Sequence, residues 1–229
     1  MNRLVGRELM DDDEAIGTPE QWRETLADLS RVNAFLGGWT ALRGELERLP
    51  RPPSRVVDVA TGGADLPRRL LDYLAQRGTK AVCVAVDRSE RLLRIAEEMG
   101  DARSDLLFMK GDALALPFAD RSFELATCNL ALHHFDPLDA IVVLRELARV
   151  AATVIVNDLR RSRIAWAFAR FILPLFTRSE FTRNDGPLSV LRAYTPAELR
   201  ELARRAGWTS INVRKKAGYR MTLTGGVPA

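Results

Sequence analysis

The sequence predicts an α/β fold: a doubly wound three-layer sandwich with a mostly parallel seven-stranded sheet, a C-terminal antiparallel hairpin and an N-terminal helical cap. Three observations predict it. After residue 53, short β-rich runs alternate with helical stretches. The strand-like runs read apolar throughout, as strands covered on both faces must. Two further strand-like runs close the chain across a tight Ala217-Gly218 turn.

Each element has its own signal. Thr18-Pro-Glu-Gln21 is a capping box with proline at the first helical position, opening an amphipathic run through Asn33. Gly37-Gly38 ends it, a second helix follows over Trp39–Leu49, and Pro50, Pro52 and Pro53 mark the boundary of the cap. We therefore divide the chain into a cap over 1–52 and a main domain over 53–229, with a lid insertion at about 160–194. Strands are expected at Val56–Ala60, Ala81–Val86, Asp105–Met109, Phe123–Cys128 and Ala152–Val156. Helices are expected at Leu66–Gln76, Glu90–Met99 and Leu138–Val150. Thr195-Pro-Ala-Glu198 is a second capping box whose helix ends near Gly207, before the hairpin runs Thr209–Val213 and Tyr219–Thr224.

Composition narrows the function classes. The 229 residues are 47% hydrophobic and 28% charged, ordinary for a soluble globular protein. The net charge is +4, from 34 basic and 30 acidic residues, too balanced for a dedicated nucleic-acid binder. Cys83 and Cys128 sit in strand-like runs without metal or disulfide spacing, as in a reducing compartment. No signal peptide is visible, and the apolar run from Ile164 to Phe176 is too short to span a bilayer, so a cytoplasmic protein is expected. No metal is expected either, because the adjacent pair His133–His134 lacks the offset of ligands on one helical face.

The most informative segment is Val56-Val-Asp-Val-Ala-Thr-Gly-Gly-Ala-Asp-Leu66, a strand running through small residues into a helix. In a doubly wound sheet ligands bind beyond the carboxyl ends of the strands, where this turn sits. The same string also suits a bare strand-to-helix turn. Asp87 ends the next strand and can accept from both hydroxyls of a ribose, although Asp87-Arg-Ser-Glu90 equally suits a helix N-cap. Gly111-Asp112-Ala113 follows the third strand. The dinucleotide pattern G-x-G-x-x-G and the phosphate loop G-x-x-x-x-G-K-[ST] are both absent.

These places, in this order, resemble the Rossmann-like class I S-adenosylmethionine-dependent methyltransferases from about Arg55 to Thr224, and Asp58–Leu66 is especially similar to the quinone-biosynthesis and small-molecule members. The resemblance implies S-adenosylmethionine as cofactor. It implies that Asp58 and the backbone of Ala60, Thr61, Gly62 and Gly63 border its methionine portion. Asp87 would hold the ribose, with Arg88 beside the adenine. Asp112 and Ala113 would meet the adenine edge, and Asn129 and Leu130 would line the cofactor. Family glycines are replaced at Ala60 and Ala64, which leaves less room for a left-handed backbone.

His133 and His134, just past the fourth strand, are the candidate general bases, since a phenol of pKa about 10 is a poor nucleophile until deprotonated. Either histidine also suits a purely structural place at a helix entry. Candidate acceptor contacts are Trp166, Phe168, Phe171 and Phe176 of the lid, and Arg183, Asp185, Arg192 and Tyr194 around a polar loop, Thr182–Pro187. From the cap come Asn33, Gly38 and Trp39. The aromatics fit an ordinary core helix as well, and the charged residues fit loop salt bridges.

The expected reaction is O-methylation of a small, partly apolar phenolic or polyketide-like hydroxyl by a monomer or homodimer, with C-methylation of a quinone-type ring as the alternative. A nucleic-acid enzyme would commonly carry [N/D]-P-P-[Y/F] where this chain has Asn129-Leu-Ala-Leu132. A non-catalytic scaffold retaining the fold, and a dehydrogenase, are the readings from other classes.

Overall fold

The structure is a computed structural model and describes residues 1–4, 6, 8, 18–175, 177 and 179–226. Seven strands form one sheet: β1 (Arg55–Val59), β2 (Val82–Asp87), β3 (Leu106–Lys110), β4 (Phe123–Asn129), β5 (Ala151–Leu159), β6 (Ser210–Lys216) and β7 (Arg220–Gly226). Their order is β3-β2-β1-β4-β5-β7-β6. The first five are parallel, and β7 inserts antiparallel between β5 and β6. The order reverses beside β1, so the carboxyl ends of β1, β2, β4 and β5 open onto one crevice.

Among the described residues eight α-helices flank the sheet: α1 (Pro19–Phe35), α2 (Gly38–Leu46), α3 (Asp65–Gln76), α4 (Glu90–Glu98), α5 (Pro137–Val150), α6 (Arg163–Ala167), α7 (Glu180–Arg192) and α8 (Pro196–Arg205). Both capping boxes form: Thr18 and Gln21 cap each other's backbone, as do Thr195 and Glu198. The larger core cluster joins β1, β4 and β5 to α5 and α8, where Leu144, Leu147 and Leu199 are fully buried. Each such side chain stabilises the fold by about 1.5–3 kcal/mol. On the other face Leu42, Leu70, Leu71 and Leu74 of α2 and α3 pack against β1, β2 and β5.

One expectation needs correcting. The Thr182–Pro187 stretch is not a loop but the first half of α7, with Pro187 inside the helix. Gly186-Pro187 reads as a breaker in sequence. Here Ser179 caps the helix by accepting from the Thr182 amide, and burial of Thr182, Asp185, Ser189 and Val190 holds it in place. After α6 the chain stays helical: one turn of π-helix (Phe168–Ile172) leads into a 3₁₀ turn (Leu173–Leu175). Phe176 lies outside the described residues.

Candidate active site

β1 ends in the small-residue turn, and its backbone is left-handed at three places: Ala60 (φ 56°), Gly62 (φ 53°) and Ala64 (φ 54°). Glycine takes this conformation freely and alanine at a cost of about 1–2 kcal/mol. A Cβ built on Gly62 would meet no atom within 4 Å, so the turn faces open space. That space is a cavity of about 800 Å³. All eleven residues expected around the cofactor line it: Asp58, Ala60, Thr61, Gly62, Gly63, Asp87, Arg88, Asp112, Ala113, Asn129 and Leu130.

The carboxylates along this wall are held differently. Asp87 accepts from the Gly62 amide at 2.9 Å and from the Ser89 amide at 3.0 Å. It does not cap α4: Ser89 does, through the Leu92 amide. Asp87 thus ties the turn to the end of β2, and a carboxylate oxygen can accept more than one hydrogen bond. Asp112 accepts from the Leu114 amide at 2.9 Å. Asp58 is 2% exposed and accepts from Thr127 Oγ1 and Asn129 Nδ2. Burial pushes its carboxyl up to about 6, although those hydrogen bonds pull the other way.

At the far end of the cavity the turn after β4 presents both histidines. His133 is 3% exposed, and its Nδ1 lies 2.6 Å from Asp158 Oδ1 near the end of β5. The other Asp158 oxygen accepts the His133 amide at 3.0 Å. Burial alone would raise the Asp158 carboxyl, but the charge and hydrogen bond of His133, the Leu159 amide and His134 hold it below the usual range. An ionised carboxylate can only accept, so the proton of this hydrogen bond sits on Nδ1. The His134 ring stacks on His133 with centroids 4.3 Å apart.

Glu8 completes this cluster. Its carboxylate lies 3.9 Å from Nε2 of each histidine, accepts from Ser189 Oγ at 2.7 Å and faces Arg192 Nη1 at 3.6 Å. Arg3 straps the N-terminal segment down, donating to the carbonyls of His133, Phe135 and Arg192. Ligand atoms of Glu8, His133 and His134 lie within 4.8 Å of one another, a grouping that sequence spacing cannot show. Arg192 and Ser189 already serve the Glu8 carboxylate, so its charge is balanced within the chain.

Of the expected acceptor contacts, Asn33, Phe168, Asp185 and Arg192 line the cavity, whereas Gly38, Trp39, Trp166, Phe171, Arg183 and Tyr194 do not. Trp39 packs edge-on against Tyr73 in the core cluster beside α2 and α3. Trp166 meets Phe171 edge-on, and Phe171 points to solvent. Arg183 is exposed and donates to the Thr177 carbonyl. Tyr194 is buried in the core, where its hydroxyl donates to the Phe135 carbonyl and burial pushes its pKa upward. Within α7 the reason is periodicity, since Arg183 and Asp185 are neighbours in sequence that point to different sides of the helix.

Three site residues escaped the sequence reading. Asp158 had a signal, as a polar residue ending an apolar run at the carboxyl edge of the sheet. Glu8 had none, being 125 positions from His133. Arg220 opens β7, lines the cavity and is fully buried, with Nη1 lacking any hydrogen-bond partner. Burial pushes its guanidinium down to about 10, against the pull of Asp158 and Asp65. The donor set fits S-adenosylmethionine: carboxylates for an ammonium, a ribose diol and an adenine amino group, and an orphaned guanidinium for a carboxylate.

Known proteins give the same direction. A family model described as a methyltransferase domain matches residues 56–153. A demethylmenaquinone methyltransferase from Roseiflexus sp. (strain RS-1) is 31% identical over 182 residues, covering 72% of this chain and 73% of that protein. Among solved structures, human N-acetylserotonin methyltransferase in complex with SAM superposes with a TM-score of 0.67 at 13% identity, covering 93% of this chain and 57% of that one. An O-methyltransferase family 2 protein from Planctomyces limnophilus in complex with apigenin gives 0.65 at 16% identity, covering 93% and 62%. This chain therefore spans about three-fifths of those two, and at such identities the likeness is one of fold.

Proposed function

The chain belongs to the class I S-adenosylmethionine-dependent methyltransferases, with S-adenosylmethionine as cofactor, and we propose that it methylates the hydroxyl of a small, partly apolar phenolic or polyketide-like acceptor using His133 as general base. The observation that carries this reading is the buried 2.6 Å pair between His133 Nδ1 and Asp158 Oδ1 on the cavity wall.

Bound S-adenosylmethionine supplies an electrophilic methyl group on a sulfonium centre. The protein's share is then alignment and one proton. In this reading Asp87 takes the ribose diol, with Asp112, Ala113 and Arg88 around the adenine. Asp58, the Ala60–Gly63 backbone, Asn129 and Leu130 border the methionine portion, and Arg220 Nη1 receives its carboxylate. Asp158 fixes the proton on Nδ1, so His133 Nε2 accepts the acceptor's hydroxyl proton as the oxygen attacks. The carboxylate then offsets the charge on the imidazolium. His134 stacks on that ring, and Asp185 and Arg192 supply polar contacts to the acceptor.

A second reading has its own support in the 31% identical relative, which is a demethylmenaquinone methyltransferase. The same deprotonation makes a quinol ring carbon nucleophilic, giving C-methylation. The test is transfer from ¹³C-methyl S-adenosylmethionine to naphthols and naphthoquinols, followed by carbon NMR of the product. A methyl ether supports the first reading and a ring methyl the second. No transfer to any hydroxylated ring removes both.

A further inference from the structure

One segment of the fold is apolar on two sides. From Arg163 to Leu175 the chain is helical throughout, as α6, a π turn and a 3₁₀ turn. Its inner side is buried, with Ala165, Ala169 and Leu173 lining the cavity. Large apolar side chains of the same segment also face solvent: Ile164 is 70% exposed, Phe171 61% and Leu175 76%. Large apolar side chains clustered on a surface mark a place that something else covers. Here one side has no covering among the described residues.

The charges on the segment say what covers it. Arg163 and Arg170 are exposed and two helical turns apart, and residues 163–175 contain no acidic side chain. In a symmetric contact between two copies, the same cationic patch would face itself. An anionic lipid surface meets both features at once, since apolar side chains enter the acyl boundary while arginines reach the headgroups. Trp166 lies half-buried between the two sides, a residue type suited to that interface. We propose that residues 163–175 seat the enzyme on anionic membranes, so that the cavity draws an acceptor with an apolar tail directly from the lipid phase. The docking stands on the exposed segment alone. Only the passage of a tailed acceptor rests on the methyl-transfer reading above.

The test is flotation of the whole protein with phosphatidylcholine vesicles, with and without phosphatidylglycerol. Flotation with the anionic vesicles is expected, at least about tenfold weaker on pure phosphatidylcholine and weakened by salt. The double variant Ile164→Gln/Leu175→Gln should lower anionic-vesicle binding at least about tenfold, while S-adenosylhomocysteine affinity stays unchanged. Absence of flotation would overturn the proposal. So would flotation that the double variant leaves intact, or a concentration-dependent dimer that the double variant dissociates. Vesicle binding by an enzyme inactive on every hydroxylated ring would leave the docking standing and refute the acceptor assignment; activity on dissolved phenols without vesicle binding would do the reverse.

Discussion

Asp158 grips His133 at two points: one carboxylate oxygen lies 2.6 Å from the ring Nδ1 and the other accepts the backbone amide at 3.0 Å. The side chain cannot rotate without breaking the first contact, and the turn cannot move without breaking the second. The imidazole is thereby fixed in position and in tautomer before any acceptor enters.

Replacing Asp158 with Asn should therefore lower kcat by about 10²–10⁴-fold, because the wrong tautomer is favoured at Nδ1. The proposed reading gives the cofactor to other residues, so S-adenosylhomocysteine affinity measured by calorimetry should be unchanged. A fall in affinity equal to the fall in kcat would make Asp158 a structural residue only.

Asp87 and Ser89 separate cofactor binding from helix capping. Asp87→Ala should weaken S-adenosylhomocysteine binding about 10–100-fold, through loss of a charged acceptor for the ribose and of the hydrogen bond to Gly62. Ser89→Ala should cost about 0.5–2 kcal/mol of stability, the loss of the α4 cap, with little change in affinity. Calorimetry and thermal melts on the two variants read both effects.

How much of this site was legible beforehand follows from its chemistry. The residues expected around the cofactor come in short runs at strand ends, and periodicity and small-residue turns were enough to bring them, from Asp58 to Leu130, to the wall of one cavity. The acceptor end is assembled from distant segments: Glu8 and Arg3 reach His133 across more than a hundred residues. Sequence spacing carries no record of such contacts. Trp39 and Tyr194 were misplaced for a related reason, since an aromatic residue near a site buries its ring in the nearest core as readily as in a pocket. Gly186-Pro187 misled locally, because tertiary packing overrides a breaker when the helix face is buried.

The left-handed Ala60 should be a cheap place to stabilise the protein. Ala60→Gly relieves about 1–2 kcal/mol of backbone strain, less about 0.4–1 kcal/mol for the entropy glycine adds to the unfolded chain. The change should raise Tm by about 1–3 °C, read by differential scanning calorimetry without cofactor. At Ala64, which is fully buried, the lost methyl should offset the relief and leave Tm nearly unchanged. Lowered melting of Ala60→Gly would mean that Ala60 is not strained.

Asp58 makes stability depend on pH in an uncommon direction. Burial pushes its carboxyl up to about 6 in the folded protein from 3.8 in the unfolded chain, so between these values the native state binds the extra proton. Stability from this group is full below about pH 4 and is lost as pH rises through 6. Asp58→Asn keeps an oxygen for Thr127 and Asn129 and should flatten that slope, stabilising the cofactor-free protein at pH 7 by on the order of 2 kcal/mol. The same change should weaken S-adenosylmethionine binding, since a fixed negative charge near its ammonium is gone. Urea melts at pH 4.5 and 7 show whether the slope disappears.

The most direct measurement is single-turnover transfer of a ¹³C-methyl group to a phenolic or quinol acceptor, followed from pH 5 to 9 in the wild type and in His133→Ala. The wild type should form the methylated product, with a rate that falls as the base becomes protonated on the acid side. The variant should bind the cofactor equally well and transfer at least about 10²-fold more slowly, with that acid limb gone. Transfer by His133→Ala at the wild-type rate and with the wild-type pH profile would contradict the assignment of His133 as the base.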